Sequence, residues 1–279
     1  MNIFQALTAG ARFIERPDAR ILLGYILHKD RTFLAAHGDT VLTLEEEDSF
    51  FELVRKRSAG VPVPYLTGSQ AFYGLDFEIG KGALIPRPDT ETLVDFALNF
   101  IGRRPLYVLD LCTGSAAIAV SIKINAPECV VCASDISDDA LYYAGKNIAR
   151  HAPDIELKKG SFFEPWTGQK FDLIVANPPY VEEGDPHLQN LSYEPKTALC
   201  SGADGLDAIR AIIRAAPSYL KTNGVLCLEH GYNQGEKVRG LFQETGFSGI
   251  RTQRDLGQNE RITLGALRLS SDGLRNPEF

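Results

Sequence analysis

From about residue 87 onward, short apolar runs alternate with segments of helix length. The runs occupy 106–111, 130–133, 171–176 and 225–228, and each is bounded by turn or acidic residues. Runs of this length, apolar throughout, suit strands buried on both faces, and their alternation with helices builds a mostly parallel, doubly wound α/β sheet. In such a sheet, ligands bind outside the carboxyl ends of the strands. Function is therefore expected at Asp110-Leu111-Cys112-Thr113-Gly114, at Asp135, at Asn177-Pro178-Pro179-Tyr180 and at Glu229-His230-Gly231.

The residues before this alternation follow a different period. Leu22, Leu23, Ile26 and Leu27 recur at helical spacing, and Thr43 with Glu46 forms a capping-box pattern ahead of a helix carrying Phe50, Phe51 and Val54. Arg55, Lys56 and Arg57 fall in its last turn, where cations suit the helix dipole, and Gly60 follows as a C-terminal cap. A small helical domain is expected over 1–75, its basic cluster read either as a solvated helix end or as part of a recognition surface. Aromatic residues with Gly74, Gly80 and Gly82 mark a hairpin linker, placed at 76–88. The α/β domain then covers 89–270, and a polar tail at 271–279 is expected to be disordered.

Composition narrows the classes of function. A chain of 279 residues that is 44% hydrophobic and 23% charged can bury a sizeable core in one or two domains. No stretch nears the roughly 20 apolar residues that span a bilayer, and residues 1–14 lack a signal-peptide pattern, so a cytoplasmic protein without membrane partners is expected. Net charge of −7 disfavours broad electrostatic binding of nucleic acid. Five cysteines at irregular spacing fit a reducing compartment. Cys129 and Cys132 form a C-x-x-C, but strand geometry sends them to opposite faces, so no metal is expected.

The stretch VLDLCTGSAAIAV at 108–120 reads as a strand, a turn of small residues and the start of an apolar helix. Small residues admit close approach of a ligand, and the helix amino terminus offers unpaired N–H groups. It is neither a P-loop nor a G-x-G-x-x-G turn, and by itself it could simply pack a helix on the sheet. Asp135 closes the second strand about 20 residues on, where an acidic side chain in such folds accepts from ribose hydroxyls; capping the following helix, alone or through Ser137, is the structural alternative. In Asn177-Pro178-Pro179-Tyr180, the prolines supply no N–H and hold the chain extended. A stiff loop of uncommitted acceptors results.

These residues resemble the ligand loops of class I S-adenosylmethionine-dependent methyltransferases that act on planar nitrogen. LIPRPDTE at 84–91, DPHLQNLSYEP at 185–195, EHGYNQGE at 229–236 and RDLGQNERITLG at 254–265 narrow the likeness. Together and in this order they resemble the release-factor glutamine methyltransferases, the HemK/PrmC family, over nearly the whole chain.

The resemblance implies a seven-stranded Rossmann-like domain with an antiparallel last strand, S-adenosyl-L-methionine as methyl donor, and class I peptide chain release factors as partners. Its expected substrate is the glutamine of their Gly-Gly-Gln motif. It assigns Cys112, Thr113, Gly114, Ser115 and Ala116 to the methionine moiety, Asp135 to the ribose, Phe162 to the adenine, and Asn177 to both donor and substrate. Pro178, Pro179 and Tyr180 complete the substrate loop, with Asn177, Pro178 and Tyr180 as the catalytic set and Tyr180 lying against the amide or closing the pocket. Asp110 and Glu229 could add negative charge near a sulfonium, and His230 is weighed as a base against a packing role.

The family loop carries glycine at three alternate positions, whereas this chain has Cys112 and Ala116 at the outer two. The Ala116 methyl is expected either to narrow the approach to the donor or to require negative φ. Three rivals remain open on sequence: glutamine methylation of a ribosomal protein, adenine amino methylation of nucleic acid, and a non-enzymatic, degenerate methyltransferase-like fold.

Overall fold

The computed structural model describes residues 1–267, with the side chain of Asn190 excepted. The tail expected at 271–279 lies outside the described residues. The chain divides into two compact units, Met1–Ser69 and Gln70–Phe279.

The first unit is helical throughout, with helices Ile3–Gly10, Arg16–Leu27, Arg31–Ala36, Leu44–Ser58 and Val63–Thr67. Ile3, Ala6, Leu22, Leu23, Phe50 and Val54 meet in its core, which is the apolar stripe that the helical spacing requires. The capping box is formed: Thr43 Oγ1 accepts from the Glu46 N–H at 3.2 Å, and the Glu46 carboxylate accepts from the Thr43 N–H at 2.7 Å. Gly60 takes φ of 99° just past the end of that helix. Its basic cluster is more than a solvated end, because Arg57 Nε pairs with Asp18 at 2.6 Å.

The second unit opens with a hairpin, β1 Ser69–Phe72 and β2 Leu75–Glu78, earlier than the 76–88 expected from sequence. The tight turn is Tyr73-Gly74, both left-handed with φ of 49° and 75°, as two-residue hairpin turns require. Gly80 and Gly82 serve close packing: a Cβ at Gly80 would collide with the Tyr143 hydroxyl, and one at Gly82 would come within 2.5 Å of Asp139. Phe72 and Phe77 are buried in the main core.

Seven further strands form one sheet: β3 Tyr107–Leu111, β4 Val130–Asp135, β5 Glu156–Lys159, β6 Phe171–Ala176, β7 Leu220–Glu229, β8 Phe247–Arg254 and β9 Glu260–Leu267. Their order is β5-β4-β3-β6-β7-β9-β8. The first five run parallel, while β9 is antiparallel to both β7 and β8. Alternate strand residues feed two cores: Val108, Val131 and Ala133 face helices Glu91–Ile101, Ala117–Asn125 and Asp138–His151, while Leu109, Leu111 and Ile174 face helices Asp207–Ala215 and Gly235–Glu244. Cys129 and Cys132 fall into opposite cores by the same alternation. The chain turns to opposite sides of the sheet on leaving β3 and β6, which opens a crevice at their carboxyl ends. Among the described residues, no helix is long and apolar enough to cross a membrane.

Candidate active site

A cleft opens at this switch point. Cys112, Thr113, Gly114 and Ser115 after β3 line it, with Asp135 at the end of β4, Phe162 after β5, and Asn177 and Pro179 after β6. Residues from four separate strand ends therefore converge as the sequence suggests. Ala116, Pro178 and Tyr180 do not line the cleft.

The turn after β3 is built from alternating left-handed residues, Cys112, Gly114 and Ala116, with φ of 57°, 58° and 64°. Alanine and cysteine each give up about 1 kcal/mol or more in this region relative to glycine. Several bonds offset that strain. Asp110 Oδ2 accepts from Thr113 Oγ1 at 2.5 Å and from the Ala119 N–H at 3.1 Å, the Thr113 N–H donates to the Ser134 carbonyl at 3.0 Å, and the Gly114 N–H donates to Asp135 Oδ2 at 2.9 Å. Of the two outcomes expected for Ala116, negative φ is not adopted, and the methyl does not narrow the cleft: it is fully buried in the core beneath. The backbone keeps the geometry that glycine would give, because the bonds around it fix the turn.

Asp110 is likewise turned away from the cleft, its carboxyl pushed up to about 7 by complete burial despite the Thr113 and Ala119 bonds. Asp135 stands at the rim, half-exposed, its pKa raised by burial and held back by backbone N–H groups. Its Oδ1 accepts from the Ser137 N–H at 2.9 Å, while Ser137 Oγ itself caps the following helix by accepting from the Ala140 N–H at 3.3 Å. Ser137 thus takes the capping role, and each Asp135 oxygen keeps lone-pair capacity for a ligand hydroxyl. The cleft side of Gly114 is open: a Cβ there would meet nothing within 4 Å. Phe162, held at φ of 45°, presents its ring to the same space.

The loop after β6 is clamped at its far end. Val181 bridges to Cys200, and Gln234 Nε2 donates to the Tyr180 carbonyl at 2.9 Å. Among the described residues, the Pro178 carbonyl accepts no hydrogen bond. The Asn177 side chain donates from Nδ2 to Thr90 Oγ1 at 3.2 Å, which leaves its oxygen uncommitted. Tyr180 differs from expectation: its hydroxyl turns inward to Glu229 Oε1 at 3.2 Å, so the ring braces the loop from behind. Burial raises its pKa, with the charge of Glu229 adding to the effect, so the phenol stays neutral.

Glu229 is buried below the cleft wall, its carboxyl raised to about 7 by burial against the lowering influence of Thr90, Arg261 and Tyr180. His230 is also fully buried. Its Nδ1 donates to the Gly231 carbonyl at 2.9 Å, and its Nε2 pairs with Thr263 Oγ1 at 2.8 Å. Burial lowers its pKa, and both ring nitrogens are spent on structure, so it is a packing residue and not a base.

The opposite wall comes from the 84–91 motif, to which the sequence reading gave no individual roles. Leu84, Pro86, Arg87 and Thr90 line the cleft. Glu194, nearly fully buried, fixes this wall by accepting from the Ile85 N–H at 3.0 Å and pairing with Arg87. The two quoted motifs at 84–91 and 185–195 are thereby parts of one structure. Among the described residues, no group of three or more His, Cys, Asp or Glu side chains could hold a metal ion.

Two family models match the chain: "PrmC N-terminal domain" over residues 3–68 and "Methyltransferase small domain" over residues 96–193. Among solved structures, a methyltransferase from Pyrococcus furiosus superposes with a TM-score of 0.57 at 19% identity, over 77% of this chain and 99% of that one. The ribosomal protein L11 methylase of Lactobacillus delbrueckii subsp. bulgaricus gives 0.51 at 24% identity, over 67% of this chain and 81% of its own. Both show the fold. The release factor glutamine methyltransferase of Xylella fastidiosa (strain 9a5c) is 43% identical over 93% of this chain and 96% of its own length. The protein of the same name from Escherichia coli (strain K12) is 41% identical over 90% of this chain and 91% of its own. The chain belongs to the release factor glutamine methyltransferase family.

Proposed function

We propose that the protein transfers a methyl group from S-adenosyl-L-methionine to the side-chain amide nitrogen of the glutamine in the Gly-Gly-Gln motif of class I peptide chain release factors. The observation that carries this reading is the uncommitted Asn177 side-chain oxygen at the cleft, with the unbonded carbonyl of the next residue, Pro178, as the second acceptor although Pro178 is not among the lining residues. A primary amide presents two N–H donors to such a pair.

The residues around the cleft fit the donor. Asp135 would accept from the ribose hydroxyls, Phe162 would lie against the adenine, and the turn Cys112 to Ser115 would hold the methionine end, where Gly114 leaves room. When bound, S-adenosyl-L-methionine supplies an electrophilic methyl on a sulfonium.

A carboxamide nitrogen is a weak nucleophile, because its lone pair is shared with the carbonyl. Among the described residues that line the cleft, no side chain is basic enough to deprotonate it first, and His230 is buried and does not line it. Rate must come from placement. Asn177 and Pro178 accept both amide protons, orient the nitrogen and polarise it, and the two prolines keep these acceptors from finding other partners. The helical unit Met1–Ser69 contributes binding area for the release factor and no group to the chemistry.

The test mixes the protein with methyl-labelled S-adenosyl-L-methionine, a class I release factor, total ribosomal protein and DNA, and locates the label by mass spectrometry. Label on the Gly-Gly-Gln glutamine is the expected result; label confined to ribosomal protein or DNA would overturn the reading.

A further inference from the structure

We propose that Thr90 is a positioning residue that sets which way round the Asn177 carboxamide sits, with Glu229 fixing the direction of the Thr90 hydroxyl. The inference rests on the function proposed above and adds to it the groups that prepare its acceptor.

A carboxamide has nearly the same shape with its two ends exchanged. Only its partners decide which end faces the cleft. The choice matters here, because an Asn177 oxygen in the cleft accepts an amide N–H, whereas an NH2 there would oppose it donor to donor. Asn177 Nδ2 lies 3.2 Å from Thr90 Oγ1, and both residues line the cleft. Thr90 is only 4% exposed, so water does not compete for its hydroxyl.

A hydroxyl can accept or donate, so the contact alone does not settle the orientation. Glu229 resolves it. Tyr180 donates to Glu229 Oε1 at 3.2 Å, and Oε2 is buried without a hydrogen-bond partner, leaving an acceptor for the Thr90 hydroxyl, which lies near enough to draw the Glu229 carboxyl down. An ionised carboxylate accepts only. The Thr90 proton therefore goes to Glu229, its lone pairs go to Asn177 Nδ2, and the Asn177 oxygen is left to the cleft. Arg261 supplies the countercharge: its charge lowers Glu229, and the guanidinium is itself held by Asp255 at 3.0 Å and Asp89 at 3.1 Å.

The backbone that carries Thr90 is rigid. It ends the short 3-10 turn Pro88–Thr90, with its N–H bonded to the Arg87 carbonyl at 3.1 Å, and helix Glu91–Ile101 follows at once. Three elements distant in sequence thus meet: Tyr180 donates to Glu229, Asn177 donates to Thr90, and the unpartnered Glu229 oxygen is the acceptor assigned to the Thr90 proton.

The experiment compares wild type with Thr90→Val, Thr90→Ser and Glu229→Gln in full-length protein at pH 8, where Glu229 is ionised. Turnover on release factor is measured at saturating substrates, S-adenosyl-L-methionine affinity by calorimetry, and folding by thermal midpoint. Thr90→Val keeps shape and removes the hydroxyl, so kcat should fall about 10- to 100-fold with donor affinity within about threefold, as expected when a reacting group is misplaced. Thr90→Ser should recover most of the loss. Glu229→Gln, which can donate as well as accept, should lower kcat in the same sense, and it carries the test if Thr90→Val does not fold. A kcat for Thr90→Val, or for Glu229→Gln in its stead, within about threefold of wild type overturns the inference. So does a Thr90→Ser loss as deep as that of Thr90→Val, since the methyl group would then be what matters. Wild-type protein that transfers no methyl to release factor overturns the functional reading, and this inference falls with it.

Discussion

Cys112 and Ala116 adopt the same left-handed backbone as the glycine midway between them, φ of 57° and 64° against 58° at Gly114, yet their side chains part company: the thiol reaches the cleft and the methyl is buried beneath it. The turn has kept a backbone suited to three glycines while carrying one.

Ala116→Gly should therefore leave donor affinity within about threefold, because the methyl never faced the donor. Relief of left-handed strain, about 1 kcal/mol, nearly cancels the loss of one buried methyl, also about 1 kcal/mol, so unfolding free energy should move by less than about 1 kcal/mol. Urea unfolding and calorimetry check both. A tenfold gain in affinity would place the methyl against the donor after all.

Cys112 should alkylate slowly despite its access to the cleft. Burial, with the charges of Asp135 and Asp110, raises its thiol well above the ordinary value, and the thiolate is the reactive form. Iodoacetamide at pH 8 should modify it at least about tenfold more slowly than an unhindered thiol such as glutathione, and more slowly again with donor bound. Labelling as fast as glutathione would contradict the buried, acidic surroundings described for it.

The strand ends were legible because each buried run stops at a polar residue: Asp135 and Asn177 line the cleft, and Glu229 is buried beside it. The hairpin at 69–78 starts before the 76–88 that sequence suggests, because glycine signals several things. Gly80 and Gly82 belong to a separate turn, closed by the Ala83 N–H on the Gly80 carbonyl at 3.2 Å, and they also leave room for Tyr143 and Asp139, residues on a helix far along the chain. Strand β5, Glu156-Leu157-Lys158-Lys159, is a charged sheet edge with no apolar run to reveal it. The inward turn of Tyr180 and the Thr90 contact depend on Glu229 and Arg261, and no local pattern encodes a meeting of such separated residues.

Stability of the protein without donor should fall as pH rises from about 4 to about 7 and level off above that. Asp110 and Glu229 hold their protons to about 7 in the fold, against ordinary values of 3.8 and 4.5. In that window the native state binds more protons than the unfolded chain, so raising the pH favours unfolding. Asp204, lowered to about 2 by Arg210, works in the opposite sense but only at more acid pH, and His230, lowered by burial, offsets part of the fall just below its ordinary value. Glu229→Gln should remove up to about 3 kcal/mol of the fall, read as the difference between the two unfolding profiles. Parallel profiles would show that Glu229 is already ionised at pH 5.

Deletion of residues 1–69 should leave donor affinity within about threefold and methylation of a short Gly-Gly-Gln peptide unchanged, while methylation of intact release factor falls at least about tenfold. The cut belongs at 69 and not 75, because Phe72 lies in the core of the catalytic unit at 2% exposure. A truncation that binds donor normally and methylates intact release factor at full rate would refute the binding role proposed for the helical unit.

Uncommitted, rigidly held acceptors place the amide for attack in the mechanism proposed above. Turnover of Asn177→Ala on release factor at saturating substrates, with donor affinity measured on the same preparation, tests it most directly. The kcat should fall at least about 100-fold while the donor dissociation constant changes less than about fivefold, as for loss of a preorganised polar contact used chiefly in the transition state. Near-wild-type kcat in a variant that binds donor normally would contradict it.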